Sequence, residues 1–472
     1  MSATTLALAG TLGVGFALAR TLLADTPLDP RRRLLWIAAW SPAIGFGALS
    51  LTVFAWRCAG LARPSPSGLA ALAALLVAVG GSRRPAARAE VTRPGWPRRL
   101  PAPLRWMAWA ALALTVTDGA RGFAALTEHD PSGSWDAVAI WNVRADMLDR
   151  GWDRFPQLLA GVDRSSHPNY PLGLPATVAG LRLAAGEDAG DAPRLVAATW
   201  FASLLLLLFL CVEAVTAPEV AALTTAWVFV TPLAVNWAAA QVADIPMAVL
   251  FLGASIGLAS QLPGWNGVRL PPALSGVALG LLAWTKNEGL PMAVIAAAGF
   301  FLMDRRSRLR APTVNRKLAI QLLAGALPGL AATLLFKLLW SPGSGLETYL
   351  QGSWTSRITD PHRWWLPARE LAIRLLAPAS SSWWSLVWWV PGAAVILGLL
   401  LGAGRRPCFA FGIGVLVAVA ASWLPIYAAT PYPLEWHVAS SLDRLLLQIL
   451  PASLAVGATA LASNTDGGPT GE

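Results

Sequence analysis

The chain predicts an all-α, polytopic membrane protein, and three observations predict it. Of its 472 residues 55% are hydrophobic and only 13% are charged, whereas a soluble domain carries roughly a quarter charged residues. Mean hydropathy is +0.53. Long apolar runs alternate with short polar ones, and in lipid such runs read as helices because no water is present to satisfy an open backbone.

A crossing of the hydrocarbon core needs about 20 mostly apolar residues. By that ruler the chain has about thirteen spans, near 2–24, 34–56, 66–82, 106–127, 192–216, 219–237, 244–262, 270–285, 288–303, 318–340, 383–402, 408–428 and 442–462. The opening run lacks the basic start and cleavage site of a signal peptide and is read as a helix. Residues 1–105 form an N-terminal membrane extension closed by an Arg/Pro-rich cytoplasmic linker at 83–105. Residues 106–340 form a core with a long outer loop at 128–190, and 341–472 supply a Trp-rich outer loop, the last spans and a polar tail that reads as disordered.

The net charge of +10 does not imply nucleic acid, because the basic residues cluster between spans. Arg31 to Arg33, Arg83 to Arg105, Arg305 to Lys317 and Arg405 with Arg406 all fall on one side under the positive-inside rule. That orientation puts 128–190, 238–243, 286–288, 341–382 and 429–441 outside the cytoplasm, together with all four histidines, His129, His167, His362 and His437. Cys58, Cys211 and Cys408 fall at different depths, so no disulfide framework is readable.

Chemistry is expected where polar groups crowd the outer side. Residues 136–150 carry a helical pattern in which Ile140, Trp141, Arg144, Met147 and Leu148 share one face, which suits a helix lying along the membrane surface. Asp136 suits a general base or a metal ligand, the plain alternative being a helix N-cap. Asp244 reads alone as a cap before Pro246 (with Ile245 between), but the topology puts it on the side of Asp136, where two carboxylates suit base catalysis or a divalent cation. Lys286 and Glu288 sit in a tight outer hairpin, where a cation suits a phosphate and the alternative is a solvated turn.

His167 and Tyr170 lie in a Pro-stiffened loop. The imidazole is a candidate for metal or phosphate, and the phenol for sugar stacking or interfacial anchoring, against simple exposure. Glu435, His437, Asp443 and Arg444 form a further outer cluster, with Ser440 and Asp443 resembling a capping box. Arg444 near a span start needs an anion. Asp118 and Arg121, at i and i+3 inside a span, are expected to pair. The Trp pairs at 364–365 and 383–389 read as interfacial anchors, the alternative being binding of isoprenoid or sugar faces.

Taken together, W-D-A-V-A-I-W-N, H-P-N-Y-P-L-G-L-P, A-D-I-P, T-K-N-E-G and S-L-D-R-L-L-L resemble the motif series of bacterial GT-C type integral-membrane glycosyltransferases, the clan of protein O-mannosyltransferases and lipid A aminoarabinose transferases. The resemblance covers about residues 106–460. It implies a GT-C-like fold in a bacterial plasma membrane, multi-pass, with its active site on the extracytoplasmic face. It also implies a polyprenyl-phosphate-linked sugar donor and a glycan, lipid or protein acceptor. Asp136 matches the clan's essential first-loop carboxylate and Asp244 its second acidic position. Many members carry Asp where this chain has Asn169, and the three spans before the core depart from the clan's usual start.

The implied mechanism is displacement at the anomeric carbon. Asp136 deprotonates the acceptor hydroxyl, and the lipid phosphate leaves, stabilised by Lys286, by Arg144 or Arg444, or by a divalent metal ion held with Asp136, Asp244 or His167. No nucleotide-binding motif is present, in agreement with an already activated donor. The alternative class is a polytopic transporter or lipid-linked glycan flippase, whose polar groups should lie near mid-membrane with broken helices.

Overall fold

The computed structural model describes residues 2–81, 101–186, 189–230, 232–307, 316–343, 349–350, 352–376 and 384–461. Most of the linker at 83–105, the middle of the third basic cluster, Trp383 and the polar tail lie outside the described residues. Among the described residues the fold is entirely helical, with no strand.

The chain opens with α1 (Ala3–Leu22), α2 (Pro30–Cys58) and α3 (Pro66–Gly81), then α4 (Ala102–His129). A π-helical turn (Ala137–Asn142) leads into α5 (Val143–Asp149), followed by α6 (Phe155–Ala160) and α7 (Gly173–Ala185). Next come α8 (Ala192–Glu213), α9 (Pro218–Trp227), α10 (Leu233–Ala239), α11 (Asp244–Ala259), α12 (Pro272–Thr285), α13 (Gly289–Ser307) and α14 (Arg316–Leu339). The chain closes with α15 (Trp354–Thr359), α16 (Pro361–Leu376), α17 (Trp384–Leu400), α18 (Pro407–Ala429) and α19 (Leu434–Leu461).

Each of the thirteen hydropathy windows falls on helix, with 219–237 broken into α9 and α10. Six helices, α1, α2, α8, α14, α18 and α19, are long and apolar enough to cross a membrane, and the bent pair from Pro218 to Ala239 makes a seventh if it is one span. This is the organisation of a membrane protein, and its outward faces agree: α14 turns Leu323, Leu327, Leu334 and Leu338 out of the bundle. In lipid such residues need no protein partner.

Four expectations change. The segment 173–185, expected as outer loop, is the buried helix α7, packed on α2, α5 and α8. At 13 residues it is too short for the spanning ruler and reads physically as a buried core helix. The shared face of the segment 136–150 packs into the protein, where Ile140, Trp141, Arg144 and Leu148 are buried. The last helix begins at Leu434, not near 442, because hydropathy misses its polar first two turns; Ser440 and Asp443 therefore lie inside it and do not cap it. Asp118 and Arg121 are both exposed and form no ion pair. Trp36, Trp40 and Phe46 of α2 lie in the main core.

Contacts between loops sort by end. At one end Arg63 meets Asp149 (2.6 Å) and Gln241 donates to the Pro131 carbonyl (2.9 Å). At the other, Arg32 meets Glu213 (2.5 Å) and the Cys408 amide donates to the Pro263 carbonyl (3.4 Å). The segments 128–190 and 238–243, expected on one side, meet at the first of these ends.

Small residues set the close approach of α12 and α14. A Cβ on Gly276 would lie 2.0 Å from the Leu322 carbonyl oxygen, on Gly280 2.4 Å from that of Ala326, and on Gly325 2.1 Å from that of Ala273. With Gly329 these are two facing G-x-x-x-G stretches, the device that brings membrane helices into backbone contact. They set the C-terminal end of α14 beside the turn that follows α12.

Candidate functional site

Five segments meet at one end of the bundle: the π turn with α5, the 167–172 loop, the start of α11, the 286–288 turn and the first half of α19. Asp136 has helical backbone angles and makes no capping bond. Asp244 is the first residue of α11, and it too makes no capping bond. Neither aspartate spends its carboxylate on a helix end; both turn to Arg444.

Arg444 donates from Nη1 to Asp136 Oδ2 at 2.5 Å, and from Nε and Nη2 to Asp244 Oδ2 at 3.1 and 2.8 Å. Its guanidinium lies over the Trp237 ring, 4.6 Å from the centroid. The other oxygen of Asp244 accepts from Gln448 Nε2 at 2.6 Å and from Lys286 Nζ at 3.4 Å. Asp244 is 0% exposed, so a charge that would be prohibitive alone is compensated by two cations and an amide. Asp136, at 21% side-chain exposure, is the open edge of the network.

Lys286 also pairs with Glu288 Oε1 at 3.1 Å, and Glu288 Oε2 is buried without a partner. His167 stacks on Tyr170 with ring centroids 4.7 Å apart, and Tyr170 stacks on Trp141 at 5.7 Å. His167 has φ +46°, a left-handed conformation that histidine tolerates better than most residues. Burial holds its imidazole below the usual histidine range, offset in part by Glu288. Burial likewise pushes the Tyr170 hydroxyl well above its ordinary value.

The chain has four tyrosines, and all four come to this region. Tyr349 is pushed up by burial and by Glu288, Tyr432 and Tyr427 around it. His437 contacts the rings of Tyr427 (5.1 Å) and Tyr432 (5.8 Å), and its Nδ1 shares a hydrogen bond with Thr430 Oγ1 (2.8 Å). Arg144 is 0% exposed; Nε donates to Ile140 O (2.6 Å) and Nη1 to Tyr170 O (2.7 Å).

Every predicted site residue, namely Asp136, Arg144, His167, Tyr170, Asp244, Lys286, Glu288, His437 and Arg444, is therefore at this end. Asp443 is not in the network: it pairs with Arg374 of α16 at 2.5 Å. Three residues escaped the sequence reading. Gln448 lies one turn after Arg444, and that i, i+4 spacing was the available signal. Trp237 carried no signal. Lys337, in the last turn of α14, was passed over as part of a span; it bonds the Asn169 carbonyl and Asn287 Oδ1 (2.8 Å for the latter).

The donor set as arranged does not fit a divalent cation. The facing oxygens of Asp136 and Asp244 are taken by the Arg444 guanidinium between them, and the described residues hold no group of three or more metal-ligating side chains. What fold and site define is a helical membrane protein with an ion-paired polar centre at one end. Comparison with protein-family models, curated proteins and solved structures finds no match to the chain.

Proposed function

We propose that the protein is a GT-C-like membrane glycosyltransferase that moves a sugar from a polyprenyl-phosphate donor to an acceptor hydroxyl on the extracytoplasmic side of a bacterial plasma membrane, with the thirteen helical windows as its crossings. The observation that carries this reading is Arg444 holding Asp136 at the open edge of the network while Asp244 is sealed behind it. A base must be oriented and reachable; Asp136 is the carboxylate of the pair that meets both conditions.

In the displacement, the acceptor oxygen attacks the anomeric carbon as its proton passes to Asp136, and the bond to the phosphate oxygen breaks with its electron pair. Cations at the site offset the phosphate's second charge. Four cations, Arg144, Lys286, Lys337 and Arg444, stand against three carboxylates, Asp136, Asp244 and Glu288, which suits a monoanionic phosphodiester donor. Tyrosine and histidine rings around Glu288 offer flat faces and hydroxyls to a sugar.

A transporter or flippase is the second reading, favoured by the 74° break between Val230 and Leu233 just before Asp244. The deciding experiment is Asp136→Asn in membranes supplied with radiolabelled polyprenyl-phosphate sugar. The transferase reading expects loss of transfer by at least about a hundredfold with the protein still inserted; near wild-type transfer overturns it.

A further inference from the structure

We propose that Arg144 and Lys337 together form the binding centre for a lipid-borne phosphate, separate from the Arg444 network. The charge pattern leads there. Lys286 and Arg444 are already matched by Asp244, Glu288 and Asp136. Arg144 and Lys337 meet no carboxylate among the described residues; they bond only neutral oxygens.

Those oxygens bring the two cations together. Arg144 Nη1 takes the Tyr170 carbonyl and Lys337 Nζ takes the Asn169 carbonyl, consecutive groups of one turn, whose Cα atoms are about 3.8 Å apart. Two like charges drawn to consecutive backbone carbonyls repel, and an anion between them removes that penalty. Arg144 supplies the second mark of a ligand: it is 0% exposed, yet Nη2 is buried without any hydrogen-bond partner. A guanidinium with an unused buried N–H beside a second cation is the chemistry of a phosphate site.

The lipid source follows from α14. Lys337 lies among Leu334, Leu335, Leu338 and Leu339, all exposed on the outer half of a helix apolar enough to cross the membrane. A phosphate at Lys337 therefore has a hydrocarbon path beside it, which free phosphate does not use. The proposal deepens the transfer reading by placing the donor's phosphate, and its test reads binding alone, so the two can fail separately.

The test is titration of the purified full chain with undecaprenyl phosphate, inorganic phosphate and neutral undecaprenol, read by tryptophan fluorescence and thermal shift. Undecaprenyl phosphate is expected to bind, with the other two much weaker. Lys337→Met is expected to weaken it about ten- to a hundredfold, the worth of one charge-assisted bond. Lys337→Arg restores most of the affinity. Arg144→Gln weakens it similarly if the variant folds; Lys337→Met decides the matter if it does not. Wild-type affinity in Lys337→Met, or equal binding of inorganic phosphate, overturns the proposal.

Discussion

Arg444 gives two of its three guanidinium nitrogens to a single oxygen of Asp244, at 3.1 and 2.8 Å, and this pair lies between α11 and α19 where Asp244 is completely buried. The relationship ties the two helices by charge as well as by packing. Removing Arg444 leaves the buried Asp244 carboxylate with Lys286 and Gln448 alone.

Arg444→Met is accordingly expected to destabilise the protein by about 3–5 kcal/mol, as for broken buried ion pairs. Adding Asp244→Asn removes the stranded charge, so the double variant should be less destabilised than the sum of the two singles. Denaturant titration of the four proteins in detergent checks this. Additive singles would mean that the two side chains are energetically independent despite their contact.

The convergence of Asp136 and Asp244 was legible because it needs only parity: counting spans puts both at the same end, and a three-residue error in any boundary changes nothing. Lys286 and Arg444 follow from the same count. The partners Gln448 and Trp237 were not legible, since depth and rotation along a helix are set by neighbouring helices that a hydropathy window does not see. Lys337 was hidden by its own helix, an apolar span whose last turn carries one cation. The early start of α19 was missed for the opposite reason: Glu435, His437, Ser440 and Asp443 look like loop to a hydropathy scale, yet they are helical, with Asp443 paired to Arg374 and His437 hydrogen-bonded to Thr430.

The α12–α14 crossing makes a second claim. Gly280→Ala or Gly329→Ala places a methyl within 2.4 Å of backbone on the facing helix, so the helices must separate. Each is expected to cost at least about 1–3 kcal/mol, the range for overpacking. Gly414 in α18, where a Cβ meets nothing within 4 Å, serves as the control. Gly414→Ala should be neutral or stabilising by up to about 1 kcal/mol, the helix-propensity gain. Because α14 carries Lys337, the crossing variants should also weaken undecaprenyl phosphate binding, and the control should not. Equal stability of all three variants would show that the close approach is not what holds α14 in register.

The last claim concerns pH. His167 is held below its ordinary 6.5 chiefly by burial, with Lys286 and Arg144 acting in the same direction and Glu288 and Asp136 opposing. The unfolded chain then binds more protons at this position than the folded one, so stability falls as pH drops below 6.5, toward the folded value. His167→Asn removes the titration, and asparagine tolerates the positive φ there. Between about pH 7.5 and 5.5, the window set by an ordinary histidine, the unfolding midpoint of the wild type should decline more than that of the variant. His437 is held down chiefly by burial in both proteins and only secondarily by His167, so the difference between the two curves reports mainly on position 167. Parallel curves would mean that the His167 ring is hydrated well enough to charge freely, and that its stack on Tyr170 does not exclude water.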